Sequence, residues 1–231
     1  MIDIDPREDF PGVVRRRSRR ARRLSLRIDS AAGVAELVVP LGISDAAADR
    51  FADQHRDWIV ARLGELPARH RFADGVAVPV LGDKLRIRHD PDGPRAPRHE
   101  PDAATLVVGG RADQLAARIE TWLREVARGA LLDAATDHAD ALGRPLSGIR
   151  IGDPRTRWGS CSPRGILSFS WRLVLTPPWV LDYVAAHEAA HLREMNHGRR
   201  FWALVEDRIP DHARARAWLS EHGPSLHRYG G

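Results

Sequence analysis

His187-Glu188-Ala189-Ala190-His191, with His197 six residues further on, decides how this 231-residue chain is read. Positions i and i+4 of an α-helix lie one turn apart on the same face, so His187 and His191 can grip one cation. Glu188 sits about 100° around the helix, beside such a cation and not on it. A general base for an activated water belongs there. Thr176-Pro177-Pro178 supplies an N-cap and first-turn prolines, where a missing N–H costs nothing. No Gly or Pro interrupts Trp179 to Met195, so the helix is expected to run that far. Val180, Leu181, Val184, Ala185, Ala189 and Leu192 make it apolar around much of its circumference, which predicts a buried helix. Two histidines and a glutamate on such a helix need partners, and a metal supplies one. A continued helix would carry His197 about 15 Å from His187. The chain must therefore turn back, and Asn196 and Gly198 offer left-handed backbone for that turn.

Outward from this helix the pattern is α+β: a β-rich N-terminal half, and a catalytic half whose motif helix packs beside a β-hairpin. The expected regions are 1–110 and 111–231. Leu24–Ile28 and Val34–Val39 alternate as a hairpin around Asp29–Gly33. Asp45–Leu66 reads as one amphipathic helix, with Phe51, Trp58, Ile59 and Leu63 on its inner face. Val76–Leu81 and Leu85–His89 form a second hairpin around Gly82-Asp83. A mobile loop is expected from Asp90 to Asp102, then a strand at Thr105–Val108. Ala112–Leu142 is a long helix with Leu115, Ile119, Trp122, Leu123, Val126, Leu131 and Leu132 inward. A strand at Ile149–Ile151 precedes a hairpin pairing Thr156–Cys161 with Ile166–Trp171. Past the motif, helices are expected over Arg199–Arg208 and Asp211–Glu221, the second stopped by Gly223-Pro224.

Apolar content of 43% and seven tryptophans indicate a folded globule. The lone Cys161 excludes an internal disulfide and suits a reducing compartment. Met1–Pro6 shows no leader pattern and no run of 18 apolar residues occurs, so a cytoplasmic location without a membrane span is expected. The charge is local. Residues 15–27 hold eight arginines (Arg15, Arg16, Arg17, Arg19, Arg20, Arg22, Arg23 and Arg27) and no acid, leaving 28 basic against 31 acidic residues elsewhere. Such a run attracts nucleic-acid phosphates or serves as a solvated edge strand.

The stretch Thr156-Arg157-Trp158-Gly159-Ser160-Cys161, then Trp171–Leu175, Pro177-Pro178, Asp182-Tyr183-Val184, the His187–His191 motif and Asn196-His197…Phe201-Trp202, resembles the YgjP-like metallopeptidases. These are zincins related to SprT-like proteases. The likeness extends more weakly upstream through the Arg-rich strand, Asp57-Trp58-Ile59 and Leu81-Gly82, and departs at Ala189-Ala190, where the family often has a bulkier pair. The resemblance implies that His187, His191 and His197 bind one zinc ion per chain and that Glu188 is catalytic. A metzincin is a different matter, because Glu194 stands where that pattern has its glycine.

Three neutral imidazoles leave one zinc position open, as in a catalytic site, though the same donors also suit cobalt, nickel or copper. The expected reaction is peptide hydrolysis with Glu188 as general base. The alternatives are a zinc hydrolase of non-peptide amides and a nucleic-acid-associated protein acting through Arg15–Arg27. Tyr183, one turn before His187, and Arg157 are candidates for stabilising developing negative charge. Trp158 and Ser160 mark an edge strand for an extended substrate. Asp182, Glu206 and Asp207 are candidates for orienting the imidazoles. Cys161 reads as an inert thiol, and His138, His212, His222 and His227 as surface histidines.

Overall fold

A computed structural model describes residues 12–30 and 32–230. Met1–Pro6, read above for a leader, lies outside them. Contacts divide the chain into two compact units, Met1–Ala68 and Arg69–Gly231.

In the first unit, β1 (Val13–Ser18), β2 (Ser25–Asp29) and β3 (Val34–Pro40) form a sheet in the order β1-β3-β2. β2 and β3 pair antiparallel as the expected hairpin, while β1 runs parallel to β3. Two helices follow, α1 (Asp45–Gln54) and α2 (Arg56–Gly64). The single helix expected over Asp45–Leu66 breaks at His55, whose Nδ1 engages the Phe51 carbonyl at 2.8 Å. The break changes which face is inward: Ile59 is buried, but Trp58 is 41% exposed. Leu37 and Val39 from β3 pack with Ala48 and Ala52 to form the core. The arginine run is half neutralised inside this unit. Arg15 pairs with Asp49, Arg17 with Asp45, and Arg16 and Arg27 both with Glu36. Arg19, Arg20, Arg22 and Arg23 are exposed in the β1–β2 connection.

The second unit carries a sheet in the order β4-β5-β7-β6, from β4 (Ala77–Val80), β5 (Asp83–Asp90), β6 (Arg98–Glu100) and β7 (Thr105–Gly109). Leu81 and Gly82 both have positive φ, 49° and 94°, as the two-residue turn between twisted strands requires. The segment expected to be a mobile loop instead supplies β6, which pairs with β7. The buried faces of β4, β5 and β7 share one core with α3 (Leu115–Ala141), so the residue-110 boundary falls inside this unit. α3 buries Leu115, Ile119, Leu123, Ala127, Leu131, Ala135 and Ala139, close to every fourth residue. Leu132, expected inward, is 42% exposed.

The second sheet of this unit has the order β8-β10-β9, from β8 (Gly148–Gly152), β9 (Gly159–Cys161) and β10 (Ile166–Ser170). β9 is thus an edge strand, paired antiparallel to β10 on one side only. A 3-10 turn, Trp171–Leu175, leads into α4 (Pro178–Ala190), which packs against β9, α3, α5 (Arg199–Arg208) and α6 (His212–Leu226). Encirclement by neighbours is why α4 is apolar all round. The α-helix ends at Ala190, five residues before the expected Met195, and α6 runs through Gly223-Pro224 where a stop was expected. Gly223 is there for close packing: a Cβ at that position would lie 3.0 Å from Trp158 Cζ2.

Arg172 ties these pieces together. Its Nε and Nη2 donate to Asp153 at 2.7 and 3.0 Å, and its Nη1 donates to the carbonyls of Leu226 and Tyr229, both at 2.8 Å. It is 7% exposed and lies over the Trp171 ring. Arg172 is buried while Asp153 reaches solvent, so Arg172→Ala chiefly leaves the Leu226 and Tyr229 carbonyls without this donor and is expected to cost about 1–3 kcal/mol in chemical denaturation. Burial alone would raise the Asp153 carboxyl, but the Arg172 guanidinium more than offsets it and holds the group below its ordinary 3.8. A depressed folded-state value stabilises the fold above the unfolded value, and that stability is lost as pH falls through the folded one. Wild type and Asp153→Asn are therefore expected to differ in melting temperature at pH 7 and to converge well below pH 4.

Candidate metal centre and groove

α4 presents His187 and Glu188 before it ends, and His191 occupies its C-cap. Leu192 and Arg193 wind on as a tight turn, donating to the carbonyls of Ala189 and Ala190 at 2.9 and 3.1 Å. The chain then reverses through Asn196-His197-Gly198, where Gly198 N–H donates to the Asn196 carbonyl at 2.7 Å. That i→i+2 bond makes a γ-type turn centred on His197. The left-handed backbone expected at Asn196 and Gly198 is not used: Gly198 has φ −82° and ψ −175°. A three-residue turn reverses the chain in less length than a glycine-based one.

The reversal brings the three histidines together. One ring nitrogen from each of His187, His191 and His197 lies within 4.8 Å of the others. His187 Nε2 and His197 Nε2 face each other at 3.1 Å, close to the separation of about 3.3 Å between two nitrogens on one tetrahedral zinc. His191 Nδ1 lies 3.1 Å from the Glu194 carbonyl, which accepts its proton and leaves Nε2 as a bare lone pair. His187 Nδ1 is buried without a hydrogen-bond partner among the described residues. Burial, and then the neighbouring His191 and His197 charges, pull His187 down to about 4, and burial also lowers His191. Both are therefore neutral near pH 7, the protonation state that a ligand needs. The donor set fits a divalent metal.

Glu188 is buried, and its carboxyl lies against the backbone of β9. A Cβ built on Gly159 would stand 2.5 Å from Glu188 Oε1 and 2.6 Å from its Cγ. Only glycine leaves room for this carboxylate. Burial raises the Glu188 carboxyl to about 7, opposed by the positive charge of Arg157. Gly159→Ala is expected to displace the carboxylate, which a structure of the variant checks.

An open groove of about 430 Å³ runs beside His187 and Glu188, lined also by Arg157, Trp158, Tyr183 and Arg216. Tyr183, Arg157 and Trp158, singled out from the sequence for charge stabilisation and substrate binding, thus reach the same groove. Tyr183 is buried, edge-on to the His187 ring at 5.9 Å, and burial raises its hydroxyl. Trp158 stacks on His227 at 5.1 Å.

Other expectations change. Asp182 does not orient a ligand; its Oδ1 accepts from His138 Nε2 at 2.8 Å. His138 is no surface residue but 3% exposed, and its Nδ1 accepts from Arg208 Nε at 3.1 Å. Glu206 and Asp207 are exposed on α5 and make none of the hydrogen bonds of the three imidazoles. His212 is half-buried, stacked 5.5 Å from Trp202, with Nδ1 unpartnered among the described residues. Burial and then the Glu188 charge push the Cys161 thiol up, which keeps it protonated. Gly159 and Arg216 are the site residues sequence reasoning passed over. Gly159 stood in a quoted motif without a role, and Arg216 shares one helix face with Leu219 and Ser220, a spacing that does not say what the face meets.

The family model described as "YgjP-like, metallopeptidase domain" matches residues 22–222. The chain belongs to the YgjP-like family. It is therefore a metallopeptidase, a hydrolase of peptide bonds that works with a metal. Among solved structures, the crystal structure of the metallopeptidase zymogen of Pyrococcus abyssi abylysin matches at 21% identity with a TM-score of 0.34. That match covers 39% of this chain and 93% of the other. No curated protein matches. No helix among the described residues of this YgjP-like chain is long and apolar enough to cross a membrane.

Proposed function

We propose that this YgjP-like metallopeptidase holds one zinc ion on His187, His191 and His197 and uses Glu188 as its general base. The observation that carries the reading is the convergence of three ring nitrogens within 4.8 Å beside a buried carboxylate. When bound, zinc supplies Lewis acidity toward a carbonyl and lowers the pKa of a water to about 7. Glu188 takes the proton of the attacking water on its carboxylate and returns it to the departing amine. Gly159 keeps that carboxylate in place by offering no side chain. Tyr183 meets the negative charge that develops on the carbonyl oxygen, and Arg157 lines the groove on the substrate side.

Substrate is held extended along β9. This strand has one free edge, lies beside the groove and packs against α4. Backbone pairing there binds a peptide whatever its side chains, and Trp158 at the strand's start provides an apolar wall.

The test is hydrolysis of a panel of denatured proteins, short peptides and small non-peptide amides. Turnover of the peptide substrates is expected to vanish on chelation and to return on adding one equivalent of zinc. Turnover confined to the small amides, or peptide cleavage that survives complete metal removal, would reject the reading.

A further inference from the structure

We propose that Arg157 and Arg216 form a carboxylate-recognising subsite, so that the preferred substrates carry a negative charge close to the scissile bond. The proposal rests on the peptidase reading of the same groove and adds a substrate class to it. The two arginines come from separate elements, Arg157 from the segment before β9 and Arg216 from α6, and both line the groove. Neither makes an ion pair with an acid among the described residues. The contrast lies within the same unit, where Arg172 is matched by Asp153 and Arg208 by Asp137. Glu188 is the one acid among the groove's lining residues, and its carboxylate is assigned to proton transfer.

The Arg216 charge is also held in place. The Arg216 guanidinium lies over the Trp202 ring, 5.0 Å from its centroid. That contact covers one face of the planar group and leaves its N–H edge for a two-pronged bond to a carboxylate. The field of Arg216 reaches His187 and Tyr183, and that of Arg157 reaches Glu188. Two unpaired cations beside a site for a divalent metal repel it and each other until an anion enters. A cleft of one sign also concentrates ligands of the other, and a lysine side chain brought to the same place meets only like charge. The carboxylate can come from an internal Asp or Glu or from the peptide's own C-terminus; the chemistry recognised is the same.

The experiment measures peptide binding without turnover. Zinc-loaded full-length Glu188→Gln is titrated against fluorescent hexapeptides of one apolar frame, with Glu, Gln or Lys at the central position, each with a free or an amidated C-terminus. A carboxylate is expected to tighten binding by up to about fivefold for each arginine it engages. The order is Glu above Gln above Lys if the group is a side chain, and free above amidated if it is the terminus. Adding Arg216→Glu, at an exposed helix position, should invert the charge order so that Lys binds above Glu. Arg157→Gln should narrow it. Equal affinities across the panel, no binding up to millimolar peptide, or an unchanged order in the Arg216→Glu protein would overturn the proposal. Hydrolysis of the same peptides by wild type is followed in parallel. Charge-selective binding without cleavage defeats the peptidase chemistry and leaves the subsite standing, and cleavage without charge selectivity does the opposite.

Discussion

Glu188→Gln is expected to lower kcat by about three orders of magnitude while the purified protein keeps its metal. The replacement preserves volume and shape, so the fit against Gly159 is retained and α4 packs as before. What changes is one function: an amide accepts no proton from water at neutral pH. General-base catalysis is worth about a hundred- to ten-thousandfold. The middle of that range is appropriate because the carboxyl is buried and is raised to about 7, near the operating pH, by that burial. The metal should remain because the three ring nitrogens come from other residues. Single-turnover kinetics beside elemental analysis separates the two quantities. Activity within tenfold of wild type would remove Glu188 from the proton path; loss of metal along with activity would make it a structural support of the ligands.

What could be read from the chain beforehand follows the range of the interactions involved. The second hairpin, the long α3 and the start of α4 rest on contacts within a few residues or on a simple period, and each forms close to where the pattern puts it, the hairpin turn lying at Leu81-Gly82 one residue before the expected Gly82-Asp83. The three-histidine cluster was legible for the same reason, since His187 and His191 are one helical turn apart and His197 is close in sequence. Features decided by distant partners were not. His138 looks like any helix-surface histidine until Asp182 and Arg208, 44 and 70 positions away, enclose it. The helix running through Gly223-Pro224 depends on Trp158 packing against the glycine and on Arg172 donating to the Leu226 carbonyl. Gly159 could not be assigned a role because its role is to leave space for a side chain on another element. The early end of α4 has a local cause that the pattern hides. The Leu192 and Arg193 N–H groups bond the carbonyls three residues back, so the last turn tightens with no Gly or Pro to announce it.

His197→Ala is expected to weaken zinc binding by about two to three orders of magnitude and to leave the metal-free fold intact. Structural zinc sites are worth about 10–16 kcal/mol in total, so one of three protein ligands carries a few kcal/mol. His197 is the informative position because it is exposed on the γ-turn, outside the packed body of α4. His191, by contrast, is 8% exposed and faces Phe201 at 4.5 Å, so its removal also opens a cavity. A ligand that binds the native state alone stabilises it in proportion to the logarithm of its saturation. Without metal, wild type and His197→Ala should therefore melt together. With zinc added in small excess, wild type should rise by several degrees and the variant should not. Removing His197 also relieves the close approach of two ring nitrogens at 3.1 Å, so the metal-free variant melts no lower than wild type if that pair holds nothing but a cation. A variant that loses stability without metal would show the pair to be a structural hydrogen bond. One that gains the full zinc increment would place the third ligand elsewhere.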